Sequence, residues 1–418
     1  VSGIVHTDFL IIGSGIVGLS MAKVLRERFP DAKVCILEKE ASVGKHASGR
    51  NSGVLHSGIY YPPNSLKGKL CVEGAQALRE YCAEYQLPLD TIGKVLVPTT
   101  LEEDQYLETL RERGVANGAT VEIINESALH RLEPVTRSFS GRALHSPRAA
   151  VFDPLSILLH LQQKLTSQGV EIAFQQKVTS ATPEKRQVTT HQGIVYQFGH
   201  LINTAGLQAD IIAKQFDIGT NFALIPFKGL YYELRPDSPI RFNGLVYPVP
   251  DLRIPFLGVH FTKAVSGKVY AGPTAIPAFG RENYKGLENI DWQELPGIAY
   301  HLANQYRLNH QGFRAYTHQE AFRFFKHNFL NAAKALVPSL KSSDLLQSAK
   351  VGIRPQLLNK KDQTLVMDFL VESGPHSTHV LNAVSPAYTS AFAFARLVVE
   401  QYIQGYIEPH QAKVPIQV

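Results

Sequence analysis

Cysteine is scarce in this chain, and what there is sits apart. Cys35, Cys71 and Cys82 form no C-x-x-C pair and no even set. Neither a disulfide scaffold nor a cysteine-based metal site is expected, and no metal is assigned. Tryptophan occurs once and methionine twice. Long apolar runs are missing too: none approaches the roughly 20 residues that a spanning helix needs. The first apolar segment has no basic leader before it, so no secretory signal is expected. Lysine and arginine outnumber the acids by 42 to 36 but lie scattered, with no run suited to nucleic acid. A net charge of +6 favours anionic ligands or an acidic surface. The expected location is cytoplasmic, with peripheral contact at the inner membrane left open.

What is present is the balance of a globular protein, 44% hydrophobic and 19% charged over 418 residues. That length predicts more than one domain. Asp8 to Ile12 (DFLII) reads as a buried parallel strand. Val17, Met21, Val24 and Leu25 recur at helical spacing after it, and VCIL (34–37) is a second short strand. Further on, a strand is expected at 94–98, helices at 101–113 and 154–168, and strands at 170–174 and 200–203. Between 221 and 275 the pattern changes to β-type runs (FALIPF, GLYYEL, GLVYPVP, FLGVHF, KVYAGP) separated by Gly, Pro and Asp. Residues 291–337 are helical in pattern, and a last helix is expected from 387 to 404. The expected fold class is α/β, α+β overall: a Rossmann-like dinucleotide domain (1–90, 141–220 and 340–418) interleaved with an antiparallel-sheet substrate domain (91–140 and 221–339).

IIGSGIVGLS supplies Gly13, Gly15 and Gly18 as G-x-G-x-x-G between the first strand and the first helix. Gly13 suits the tight turn, Gly15 the approach of a pyrophosphate, and Gly18 close helix packing. The helix N-terminus offers N–H groups to the phosphates. Glu38 follows Gly18 by twenty residues, where a carboxylate can accept from ribose hydroxyls. Two more segments resemble elements that in flavoproteins of this fold lie beside the dinucleotide and over the flavin ring, and that likeness favours FAD over NAD. LINTAGLQAD (201–210) runs a strand into Thr204, Ala205 and Gly206, and VGIRP (351–355) precedes a C-terminal strand and helix.

These stretches, with SGVLHSGIYYPPNSLKGKLC, YPVPDLRIPFLGVHFT, AGPTAIPAF and NAVSPAYTS, resemble the L-2-hydroxyglutarate oxidase/dehydrogenase family. That family belongs to the flavoproteins built like D-amino-acid oxidase. The resemblance runs from about residue 8 to about residue 403. It implies FAD-dependent oxidation of L-2-hydroxyglutarate to 2-oxoglutarate; the acceptor is expected to be oxygen or a quinone, with an electron-transfer protein also open. Three departures stand out: Arg50 where the family pattern has histidine, Lys228 in Pro-Phe-Lys-Gly where it has arginine, and Gly-Ile-Arg-Pro-Gln in place of Gly-Val-Arg-Ala-Gln.

With FAD on the first βαβ unit, the segment after Glu38 would pass beside its phosphates and ring. Ser48, Gly49, Arg50, Asn51, Ser52, Gly53 and Val54 are then expected to face the flavin, the small ones because it lies on their backbone. Ser14, Ile16, Val17, Lys39, Val178 and Gly352 join the cofactor set. Ser385, Pro386 and Ala387 would offer backbone N–H groups to the flavin's N1/O2 region.

His56 is the candidate base for the substrate hydroxyl, because an unperturbed imidazole titrates near neutrality. A dicarboxylate needs donors as well. Arg354 is expected either at a carboxylate or against the flavin, Lys228 and His260 at the other carboxylate or the hydroxyl, and Tyr60 or Tyr61 as a hydroxyl donor. Two other readings stay open on the same residues: an amine or amino-acid oxidase, and a non-catalytic flavin- or NAD-binding module.

Overall fold

The computed structural model describes residues 3–253 and 257–403. Ile254, Pro255 and Phe256 of the β-type region lie outside the described residues. So do Val1, Ser2 and the expected tail of the dinucleotide domain at 404–418, with the predicted helix end at Gln404.

Five parallel strands form the first layer, in the order Ser377–Asn382, Val195–Asn203, Val5–Ile12, Val34–Leu37 and Glu171–Ala173. The continuous apolar run at 9–12 is buried because strands flank it on both sides and helices cover it. One cover is the helix Ile16–Arg28, packed with Pro154–Ser167 and Ala387–Val398 into the largest apolar core. The Pro154–Ser167 helix starts on Asp153, whose side chain accepts from Leu155 N, and has Pro154 in its first turn. The last helix is α-helical to Val398 and continues as a π turn, Val399–Ile403.

The second layer is a ten-stranded, mostly antiparallel sheet. FALIPF and GLYYEL are not two strands but one, Phe222–Leu234, because Pro226 and Gly229 are carried within the pairing. Its partner is Leu345–Asn359, fifteen residues aligned with Phe222 to Leu234 across a bulge near Leu230. That strand and Arg142–Ser146 were expected in the dinucleotide domain, but both pair in this second sheet. Leu345–Asn359 thereby sets Gly352 opposite Gly229 and Arg354 opposite Phe227. The helical region resolves into Leu295–Leu308, Phe313–Arg323 and Lys326–Leu336. Among the described residues no helix is long and apolar enough to cross a membrane.

Candidate active site

A cavity of about 270 Å³ opens between the two sheets. Its floor is the start of the first helix, Gly15, Ile16 and Val17, with Thr204 and Gly206 beside it. Gly13 turns the chain at φ +101°, and a Cβ on Gly18 would stand 2.0 Å from the Gly13 carbonyl oxygen, so only glycine fits there. Gly15 is constrained by a neighbour as well as by any ligand: a Cβ there would meet Ser48 Oγ at 2.9 Å. Ser48 Oγ accepts from Ile16 N at 3.0 Å, while the Gly15 cap supplies no side chain. Glu38 Oε2 accepts from Ser14 N (2.9 Å) and Ser14 Oγ (2.7 Å), and Oε1 accepts from Glu40 N (2.9 Å). The carboxylate thus ties the glycine turn to the end of the second strand. A helix N-terminus between small residues, with a carboxylate one strand away, fits a dinucleotide.

The loop after Glu38 forms one wall. Arg50, Asn51, Ser52, Val54 and His56 all line the cavity, as do Gly352, Arg354, Ser385, Pro386 and Ala387. Residues from five separate stretches of the sequence, 15–17, 50–56, 204–206, 352–354 and 385–387, thus meet here. Gly49 and Gly53 do not line it. Gly49 is small because the Gly44 carbonyl oxygen would lie 1.9 Å from a Cβ, and Gly53 because it takes φ +70°. Those two glycines serve the loop's own fold, contrary to the expectation of direct contact with a flavin. Ala205 also lies off the wall, one residue from Thr204 and Gly206. Val178 sits in the apolar core with Leu10, Ile12 and Cys35, away from the cavity. Lys39 is engaged by Glu40 and Glu282.

His56 donates its backbone N–H to Thr389 Oγ1 (3.1 Å), and its Nε2 is 3.3 Å from Ser385 Oγ. Its Nδ1 is buried with no hydrogen-bond partner among the described residues. Burial pushes the imidazole down to about 3, helped by the positive charges of Lys94, His260, Arg354 and Lys67. His56 is therefore neutral at any ordinary pH, and the ionisation expected near neutrality is displaced. His260 stacks on Tyr247, centroids 3.8 Å apart, with Nδ1 2.8 Å from the Gly258 carbonyl oxygen. A carbonyl only accepts, so Nδ1 carries the proton and Nε2 is left as an acceptor. Burial takes His260 down to about 4 against the pull of that hydrogen bond, with Lys94 and Arg354 adding to the fall.

Lys228 is not on the wall. Phe227, Gly229 and Tyr231 line the cavity, so strand alternation turns Lys228 to the other face. There its Nζ donates to Asn283 Oδ1 at 2.9 Å. Tyr60 and Tyr61 also lie behind the wall, Tyr60 accepting from Lys94 Nζ at 3.3 Å. Two buried lysines that the sequence did not reveal stand near His56 instead. Lys94 is 2% exposed and lies 4.8 Å and 5.3 Å from the ring centres of Tyr60 and Tyr247; burial lowers it to about 8. Lys67 starts the helix Leu66–Glu84, held by Asp368, whose carboxylate accepts from Leu66 N and Lys67 N. Burial and the Arg354 charge lower Lys67 to about 7, against the pull of Asp368. Neither lysine makes a salt bridge among the described residues. Their only sequence signal is position: each opens a segment whose following residues are buried.

The fold and the site define a class. The chain belongs to the FAD dependent oxidoreductase family, whose pattern matches residues 8–401. It is 36% identical over 407 residues to an L-2-hydroxyglutarate dehydrogenase of Indibacter alkaliphilus, covering 95% of this chain and 99% of that one. The enzyme of the same name from Escherichia coli K12 is 34% identical over 396 residues (94% and 92%), and the human mitochondrial one 32% over 422 (96% and 89%). Among solved structures, the fold matches dithionite-reduced L-alpha-glycerophosphate oxidase from Mycoplasma pneumoniae with FAD bound. The TM-score is 0.75 at 22% identity, over 94% of both chains.

Proposed function

We propose that this protein oxidises L-2-hydroxyglutarate to 2-oxoglutarate, using FAD. The observation that carries the reading is a cavity beside the dinucleotide turn, lined by neutral His56 and His260 and by Arg354, with the buried lysines Lys67 and Lys94 close enough to act on His56. Such a surround favours a dianion, and relatives over nearly the full length are named for this substrate.

In this reading, Arg354 takes one substrate carboxylate through its guanidinium fork. Lys67 and Lys94 hold the local potential positive for the other. His56 Nε2, the more open ring nitrogen, accepts the C2 hydroxyl proton, with Ser385 Oγ beside it to orient the ring. His260 Nε2, also an unprotonated acceptor on the cavity wall, is the alternative base for that single proton. FAD, when bound, would supply the two-electron acceptor for the C2 hydride, while the hydroxyl proton passes to His56. Gly15, Ile16 and Val17 would hold the pyrophosphate, Glu38 the ribose, and Arg50, Asn51, Ser52 and Val54 with Ser385 to Ala387 the flavin.

The parallel sheet and its helices make up the cofactor domain in this account, and the ten-stranded sheet the substrate domain. Oxygen or a quinone is the electron acceptor. Peripheral contact with a membrane is supported by the exposed Trp292, Phe322, Phe324 and Phe325 on the helical side. The test of the reading is anaerobic reduction of the bound flavin by L-2-hydroxyglutarate. No bleaching by this substrate, with bleaching by glycine or sarcosine, would replace it with the amine-oxidase reading.

A further inference from the structure

The segment Arg281–Tyr284 extends from the ten-stranded sheet and lies against the loop that follows Glu38. It touches that loop at three places. Lys39 Nζ is 2.8 Å from Glu282 Oε1, and His46 Nδ1 is 2.7 Å from the Tyr284 hydroxyl. The Arg50 guanidinium stands over the Tyr284 ring, 4.2 Å from its centre. Behind these contacts the segment is anchored. Arg281 is buried and pairs with Asp210 at 2.5 Å and Glu294 at 2.7 Å, and it also donates to the Leu207 carbonyl. Glu40, His46 and Glu282 have ligand atoms within 4.8 Å of one another, but the Lys39 ammonium already lies among them, so the cluster is an ion-pair junction.

The loop gripped in this way is a wall of the cofactor cradle. It leaves the strand at Glu38, reaches the cavity at Ala47 and Ser48, where Ser48 accepts from Ile16 N at the helix N-terminus, and continues along it through Arg50. The three contacts fall just after Glu38, midway, and at the cavity. A dinucleotide held at Glu38 and the helix N-terminus would have this loop beside it. The loop cannot swing outward while all three contacts hold.

We infer that residues 281–284 form a clasp that sets the rate at which FAD enters and leaves. The contacts suit that task. The Lys39–Glu282 pair is partly exposed, at 20% and 36%, so water and salt can reach it. The anchor beneath, Arg281 with Asp210, is buried and stays in place.

The test is exchange of bound FAD for isotopically labelled FAD, with holoenzyme held in excess label, desalted at intervals and its cofactor weighed by mass spectrometry. The double variant Glu282→Gln with Tyr284→Ala should exchange about tenfold faster or more, as expected for losing an ion pair and a stacked hydrogen-bonded ring. Raising salt should speed exchange in the parent, and less so in Glu282→Gln, because one screened pair is gone. Lys285→Ala, on the exposed continuation of the segment, should exchange like the parent. If the double variant does not fold, Tyr284→Phe serves, removing only the hydroxyl beside His46, and it too should exchange faster. An exchange rate within about twofold of the parent in the variant read, with no difference in salt response, overturns the clasp.

Discussion

His56 Nε2 lies 3.3 Å from Ser385 Oγ, although 329 residues separate them in the chain. The contact joins the loop after the dinucleotide turn to the start of the last helix. Both residues line the same cavity, so one side chain can orient the other at the proposed meeting point of substrate and flavin.

His56→Ala should keep its FAD and lose its reduction by substrate. Loss of a placed base typically costs ~10²- to 10⁴-fold, whereas loss of a loop brace chiefly affects stability. Rapid mixing of the anaerobic holoenzyme with L-2-hydroxyglutarate measures this as decay of the oxidised flavin band. Ser385→Ala should slow the same decay by a smaller factor.

The pH dependence should appear in affinity. Lys67 and Lys94 titrate at about 7 and about 8, so they lose positive charge as pH rises through that range. A dicarboxylate favours their charged forms, so KM should rise with pH above about 7. His56, held down to about 3, should leave the limiting reduction rate flat from pH 6 to 8. Lys94→Met should raise KM throughout and flatten its rise near pH 8. A KM that falls over this range would contradict the placement of both lysines.

Arg354 and Lys228 should separate cleanly. Arg354→Lys loses the guanidinium fork and should raise KM at least tenfold, about the worth of one charge-assisted hydrogen bond. Lys228→Met should change KM little and lower thermal stability, because its partner is Asn283 on the far face of the strand.

Acid should destabilise the parallel sheet through His200 and His379. Burial takes both down to about 4, below the ~6.5 of the unfolded chain. The unfolded state then binds more protons below pH 6.5, so stability is full above that pH and falls as pH drops towards 4. Between pH 7 and pH 5 each histidine accounts for about 2 kcal/mol. Urea unfolding at the two pH values measures the loss, and His379→Gln should recover about half of this pair's share.

The sequence was legible where local chemistry and position coincide. The strand, glycine turn and helix at 5–28 appear as expected because buried apolar runs and G-x-G-x-x-G specify them without help from distant residues. His56 and Arg354 stood out as polar residues in glycine- or apolar-rich settings. Lys228 was misplaced although its neighbours carried the answer: Phe227 and Gly229 share a face that excludes it. Lys67 and Lys94 were hidden for another reason. A lysine opening a helix or strand looks like a surface residue until tertiary packing buries it. The long strand Leu345–Asn359 was missed because its pairing depends on Phe222–Leu234, more than a hundred residues earlier.

The most direct measurement is anaerobic titration of the holoenzyme's flavin with L-2-hydroxyglutarate, its D-enantiomer, L-malate, glycine and sarcosine. A cavity lined by Arg354, with Lys67 and Lys94 buried near His56, predicts full bleaching by L-2-hydroxyglutarate, weaker response to the shorter L-malate, and none to the D-enantiomer or the two amines. Bleaching by glycine or sarcosine with an unchanged spectrum in L-2-hydroxyglutarate would contradict it.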